Sequence, residues 1–429
     1  MARDRRAGTL EDKVKNGDGI TGAAFSLEER LILNCLRCDT AAAGAADCGS
    51  RGRAGEWGVE IDLIDWNRLI LTAGSHGVLP LVYRQLKAVD GVPTSAIAPL
   101  RAEFYGNTLN NIHVARELGR VSGLLSARGI PAIAFKGPVL ALQAWGNVAL
   151  RQFNDLDLLV RPAQAADAAE VLIAAGYWPL TYDRQHPEIS IARRCEDEFV
   201  RPGSPWTVDL HWEFNPVYFA YGPSGAEVWD RAISISVEGA EVLTLAPDDL
   251  VLFLAVHATK HGWINLGGIC DFDAALRARK DADLPALVDA ARRTGSLRML
   301  LLGTVLAADL LGALIPPLLA RAIQQDATVT SLAAGVERRL FVNADKRAPL
   351  TSEWMVPTRA IDGGARERMR YVAGRVFKPD TDDFGFIRLP PALHPLYYAL
   401  RPFRLVWQQG RRAFVDVPHP LKRLRGAPP

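Results

Sequence analysis

Three aspartates stand where metal-assisted acid chemistry would need them. Asp155 and Asp157 lie two apart in Asp155-Leu156-Asp157-Leu158-Leu159-Val160, and Asp209 lies in Thr207-Val208-Asp209-Leu210-His211-Trp212-Glu213. Both segments read as strands. Because strand side chains alternate, Asp155 and Asp157 leave one face while Leu156, Leu158 and Val160 turn into apolar packing. Two carboxylates so close repel each other and favour a divalent cation, and oxygen ligands of this kind suit Mg²⁺ or Mn²⁺. Three carboxylates on adjacent strands can hold two ions about 3.5–4 Å apart, the arrangement for in-line phosphoryl or nucleotidyl transfer. The competing reading of an isolated Asp-x-Asp is a solvated strand edge. Here the acids are embedded in apolar sequence, where an unpaired charge is costly.

Other polar groups surround this trio. Lys136-Gly137 closes a short apolar run, Ile130 to Phe135, and precedes Pro138, which suits the first turn of a helix. Arg151 lies four residues before Asp155; its guanidinium would either face a phosphate or pair with an acid. His211 shares a strand face with Asp209 and Glu213. His257 and His261, four apart, share a helix face, and Asp271 or Cys270 would have to complete a zinc site there. The intervening Ala258-Thr259-Lys260 holds no glutamate base, so packing or cleft lining is the favoured role. Cys35-x-x-Cys38 with Cys48 begins like a metal motif, but Cys35 sits in an apolar helical pattern and no fourth ligand is evident.

The elements that must position these groups change texture along the chain. Residues 1–24 read as a disordered tail. Residues 25–128 read as an N-terminal helical region: Ser26 before Glu28 and Glu29 opens a helix, a pattern runs from about 61 to 87, and another from about 97 to 128 carries an apolar stripe of Leu109, Ile112, Leu118, Val121 and Leu125. Residues 129–216 alternate strand and helix in a small α/β unit. Residues 217–345 read as a mostly helical domain, and 346–429 as a segment dense in proline and arginine. The fold class expected is α+β, a small mixed-sheet core embedded in helical N- and C-terminal segments.

Composition bounds the function. With 429 residues, two or three domains are expected. Apolar residues make up 49% and charged residues 23%, as in ordinary globular proteins. A net charge of +2 argues against a dedicated nucleic-acid coat, so no stable nucleic-acid partner is expected. Five cysteines cannot staple a chain of this length, which fits a reducing cytoplasm. No secretory leader is legible in the first residues, and the apolar run Met299 to Ile315 reads as a buried helix.

Taken in order, Phe135-Lys136-Gly137, Arg151, Asp155-Leu156-Asp157-Leu158-Leu159-Val160 and Val208-Asp209-Leu210-His211-Trp212 resemble a family of uncharacterised bacterial nucleotidyltransferases of the DNA polymerase β-like superfamily. His257-Ala258-Thr259-Lys260-His261-Gly262-Trp263 with Asp271 is similar to that family's helical region, so the likeness spans about residues 25–290. The resemblance implies a metal-binding pair, Asp155 and Asp157, with Asp209 as third carboxylate near the acceptor. It implies a nucleoside triphosphate donor, with ATP the expectation, and contacts to its phosphates from Lys136, Gly137 and Arg151. In the wider superfamily the first strand ends in glycine-serine; this chain has lysine-glycine and no serine, and Pro138 removes one backbone N–H from the cradle.

Two other classes remain in view: a non-catalytic nucleotide- or partner-binding module, and a phosphotransferase acting on a small molecule or peptide. The acceptor, whether small molecule, peptide or protein, is not named by any motif. Residues 386–429 hold eight basic residues against Asp416, with Phe403, Leu405, Val406, Trp407 and Phe414 among them. That pattern fits a membrane surface, a partner protein or RNA, and equally a terminal helix packed on its own domain.

Overall fold

The computed structural model describes residues 25–42, 59–279, 283–341, 351–361, 364–379, 383, 386–387 and 389–414; Cys48 and the chain beyond 414 lie outside them. The first helices are α1 (Leu27–Ala42), α2 (Trp66–Ser75), α3 (Leu79–Leu86) and α4 (Thr94–Ser126). Ser26 and Glu29 close a reciprocal cap on α1: Ser26 N donates to Glu29 Oε2 at 2.9 Å and Glu29 N to Ser26 Oγ at 3.3 Å. The single pattern read over 61–87 divides into α2 and α3 at Gly77, whose φ of 70° a helix cannot contain. In α4, Leu109 is exposed; the buried stripe is Asn111, Val114, Leu118, Val121 and Leu125.

The α/β part follows as β1 (Ile133–Ala134), α5 (Gly137–Trp145), β2 (Asp155–Leu159), α6 (Ala165–Ala174), β3 (Trp178–Pro179), α7 (Pro187–Arg193), β4 (Glu196–Val200), β5 (Thr207–His211), α8 (Gly225–Arg231), β6 (Ile233–Val237) and β7 (Ala240–Thr244). All seven strands form one mixed sheet in the order β3-β4-β5-β2-β1-β7-β6. The sheet therefore reaches past residue 216, because the hairpin β6–β7 adds to β1 in parallel. Ile233, Ile235 and Val237 alternate with serines, and the hairpin turns at Glu238 and Gly239, both with positive φ. Residues 182–205 hold α7 and β4.

The sheet separates two cores. On one face Leu156, Leu158, Phe199, Val208 and Leu210 pack with Val114, Leu118 and Val121 of α4 and Ala165, Ala168 and Leu172 of α6. On the other, Ile133, Phe135 and Leu159 join the larger helical core. That core is built by α9 (Pro247–Lys260), α10 (Leu266–Ala278), α11 (Leu284–Arg293), α12 (Leu297–Leu311), α13 (Pro317–Gln325) and α14 (Ala327–Leu340). The apolar run from Met299 is α12, buried along nearly its whole length and stopped by left-handed Gly312. Three further helices complete the described chain: α15 (Thr351–Ala360), α16 (Ala365–Phe377) and α17 (Tyr397–Phe414). Among the described residues, no helix is long and apolar enough to cross a membrane.

Candidate active site

Strand register builds the site. β2 and β5 run parallel with Asp155 opposite Thr207, Asp157 opposite Asp209 and Leu159 opposite His211. β4, antiparallel to β5, sets Glu198 opposite Asp209 and Glu196 opposite His211. One sheet face thus carries a lattice of acids and one histidine, while the intervening apolar residues fill the core behind it. Asp157 is fully buried at the centre; Asp155 and Asp209 are partly exposed beside it.

Two cations face Asp157. Lys136 Nζ lies 2.6 Å from its Oδ1, and His211 Nε2 lies 3.3 Å from the same oxygen. His211 Nδ1 lies 2.9 Å from Glu196 Oε2, so the ring bridges two carboxylates. Burial works against the charged form of Asp157, yet Lys136 and His211 outweigh it and hold this carboxyl well below its ordinary range. Lys136 is raised although burial opposes its charge, because Asp157 and then Asp155 attract it. His211 is raised to about 9 against the same penalty by Glu196 and Asp157. Asp209 goes the other way: burial and the neighbouring Asp157 push it up to about 7. Burial and Asp157 also raise Asp155, offset in part by Lys136 and Arg151.

Local sequence explains the Lys136 turn. Gly137 has a φ of +54°, and a Cβ there would come within 3.1 Å of the Asp155 carbonyl oxygen. Only glycine lets the start of α5 approach β2 this closely, which is what delivers Lys136 to Asp157. Lys136 is the cap residue of α5, and no side chain caps that first turn.

Arg151 belongs to a second cluster. Its Nε donates to Asp271 Oδ2 at 2.8 Å, and Trp145 Nε1 donates to Asp271 Oδ1 at 3.1 Å. Arg151 therefore pairs with an acid from α10 and not with the strand aspartates. Its Nη1 is buried without a hydrogen-bond partner. The loop bearing it is held by α4, where Asn111 Nδ2 donates to the carbonyls of Val148 (2.6 Å) and Arg151 (2.8 Å) and Asn107 Nδ2 to that of Arg151 (3.0 Å).

Between these clusters and α9–α10 lies a cavity of about 320 Å³ that Lys136, Arg151, Trp145, His257, His261 and Asp271 help to line. The His257 and His261 rings lie tilted to one another, with centroids 4.7 Å apart. Burial and the nearby Lys136 keep His257 well below its ordinary value, so its imidazole is neutral. Cys270 lines the cavity too, but these groups do not form a zinc set. Among the described residues, the group able to offer three metal-ligand atoms is Asp157, Asp209 and His211, all within 4.8 Å of one another. It unites two of the three predicted carboxylates with the histidine; Asp155 is not a member. Asp157 Oδ2 is buried without a hydrogen-bond partner, the state expected of an oxygen awaiting a cation. Cys35 is buried in the helical core.

Sequence reasoning missed Glu196 and the asparagines of α4. Glu196-Asp197-Glu198-Phe199-Val200 alternates in burial but not in hydropathy, because buried Asp197 stands where an apolar residue would have given the strand signal. Asn107, Asn110 and Asn111 give no signal beyond an unusual polar trio inside a helix.

A search of curated proteins finds no match to the chain. A family model described as an uncharacterised nucleotidyltransferase matches residues 62–312, which include every strand of the sheet and all the residues of both clusters. The chain belongs to this family of uncharacterised nucleotidyltransferases.

Proposed function

We propose that the protein transfers a nucleoside monophosphate, AMP from ATP, to an acceptor hydroxyl, amine or phosphate, releasing pyrophosphate. The observation that carries this reading is the pairing of Asp157 with Asp209 across parallel strands, with Lys136 on the same carboxylate. Mg²⁺ or Mn²⁺, held by Asp155, Asp157 and Asp209 in a two-metal arrangement, would neutralise the triphosphate and the charge that develops during transfer. Lys136 and Arg151 supply positive charge for the phosphates from the cavity side, Lys136 as a point charge and Arg151 through its unpartnered Nη1. Gly137 lets the backbone of α5 come close to the same place. Asp209, raised towards neutrality by burial and by Asp157, is the group suited to take a proton from the acceptor. His211, fixed between Asp157 and Glu196, orients Asp157. Most of the rate enhancement then comes from alignment and preorganised charge. The few cysteines agree with a reducing, cytoplasmic setting for this reaction.

Calorimetric titration with ATP, GTP, CTP and UTP in Mg²⁺ tests the reading on wild type and on Asp155→Ala/Asp157→Ala. Metal-dependent binding of one triphosphate, at least about 100-fold weaker in the double variant, is expected. Folded wild type that binds no triphosphate sinks the proposal. Product mass then separates nucleotide transfer from phosphate transfer.

A further inference from the structure

The helices α16 and α17 take no part in the site, and α17 has its charge inverted. Its inward face is Tyr397, Arg401 and Arg404, spaced i, i+4, i+7, all buried. Both guanidiniums bind the buried Asp383: Arg401 Nη1 lies 2.7 Å from Oδ2, and Arg404 Nε donates to Oδ1. Arg401 Nε also donates to the Arg375 carbonyl of α16 at 3.0 Å. The outward face carries Phe403 at 74% exposure, Val406 at 72% and Trp407 at 48%. A terminal helix packed only on its own domain and facing water turns phenylalanine inward and arginine outward. Here two arginines occupy the protein side, both bound to the one carboxylate of Asp383, and the apolar side chains are left outside. α16 packs against α17. It adds exposed Met369, Val372 and Phe377, with Arg366, Arg368 and Arg370 exposed among them. Leu393, Leu396 and Phe386 are exposed nearby in sequence, and the Phe386 ring meets Trp407 edge-on at 5.3 Å.

We infer that α16 and α17 form a platform that lies on an anionic lipid bilayer surface. Phe403, Val406 and Trp407 enter the boundary between headgroups and acyl chains, and the arginines meet lipid phosphates. Charge decides between occupants. Of the eight basic residues in 386–429, Arg401 and Arg404 are turned inward on Asp383 and do not count toward this face. Arg366, Arg368 and Arg370 are exposed on α16, whose one acid is Glu367. A second copy of the same face would bring these like charges together, whereas an anionic surface neutralises them. The platform lies on the bilayer and does not span it, since no described helix is long and apolar enough to cross.

The test is cosedimentation of the full chain with vesicles of phosphatidylcholine alone and of phosphatidylcholine containing about 30% phosphatidylglycerol. Binding to the anionic vesicles, weakened by salt, is expected. Phe403→Ser/Trp407→Ser should bind at least about ten-fold more weakly, and Leu71→Ser, at an exposed leucine of α2, should bind like wild type. Arg366→Glu/Arg368→Glu tests the electrostatic part on two exposed residues, and should also weaken binding. Three outcomes overturn the inference: no partition of folded wild type into anionic vesicles, equal binding by both double variants, or a wild-type dimer in light scattering that Phe403→Ser/Trp407→Ser dissolves.

Discussion

Among the described residues, two pairs of neighbouring acids differ in what surrounds them. Asp157 and Asp209 meet across β2 and β5; Asp309 and Glu337 meet between α12 and α14. At the first pair, Lys136 and His211 keep Asp157 ionised in spite of its burial. At the second, burial comes first, then the charge of Glu337 and a hydrogen bond with it, and all three raise Asp309 well above the carboxylate range. Burial and Glu337 together favour the protonated form of Asp309. The lesson is that a cluster of acids says little by itself. Negative charge is available for chemistry only where the fold brings cations to the same place, and here Gly137 and the β5 register do so.

Removing the cation should collapse that difference, with the largest effect. Lys136→Met leaves Asp157 buried with one partner fewer. We expect about 3 kcal/mol lower stability at pH 7 and triphosphate binding weakened at least about 100-fold. The sign follows from the depressed pKa: Asp157 contributes stability above its unfolded value near 4, and that contribution is lost as pH falls through the folded value. The gap between wild type and variant in denaturant titrations should therefore narrow as pH falls below about 4. A gap as wide at pH 3 as at pH 7 would show that packing, not charge, sets the cost.

Asp309→Asn probes the other pair and should act in the opposite direction. Because the folded state holds this proton more tightly, wild type loses stability as pH rises from about 4 towards the raised value. The neutral amide avoids that loss. The variant should be more stable than wild type by on the order of 2 kcal/mol at pH 8, with the difference vanishing near pH 4 and nucleotide binding unchanged. Thermal melts across this range give the answer, and a variant less stable at pH 8 refutes the raised Asp309.

The smallest effect is expected at Glu196, which is half-exposed and screened by solvent. His211, raised to about 9, contributes stability that is fully present below its unfolded value near 6.5 and lost as pH rises through 9. In Glu196→Gln that alkaline loss should begin earlier, at a cost under about 1 kcal/mol at neutral pH. Following the His211 ring resonances by NMR through pH 6–10 would reveal the shift; an unmoved titration would remove Glu196 from the cluster.

Much of the local structure was legible from residue order. The period of two set Leu156, Leu158 and Val160 opposite Asp155 and Asp157, and Ser26 with Glu29 marked the start of α1. Met299 onwards was recognisable as a buried helix because the run is too short for a bilayer, contains Asp309 and ends at Pro316-Pro317. The helix that carries Asn107, Asn110 and Asn111 was visible, but the task of these side chains in holding the Arg151 loop was not. The β6–β7 hairpin was overlooked although Ile233, Ile235 and Val237 alternate, because it is short and lies between helices.

What residue order could not supply was the set of partners across the sheet and the cavity. Alternation places a side chain on a face, but the neighbour it meets depends on register between strands that are some 50 residues apart in the chain. That register made Asp157, Asp209 and His211 the compact group and left Asp155 at its edge. Arg151 was readable as a cation in need of an anion; that the anion is Asp271, 120 residues away, follows from how α10 packs against α5. Short-range preferences come from backbone sterics and capping, which a local stretch of sequence contains. Ion-pair choice comes from burial and proximity, which exist only once the helices and the sheet have closed on one another.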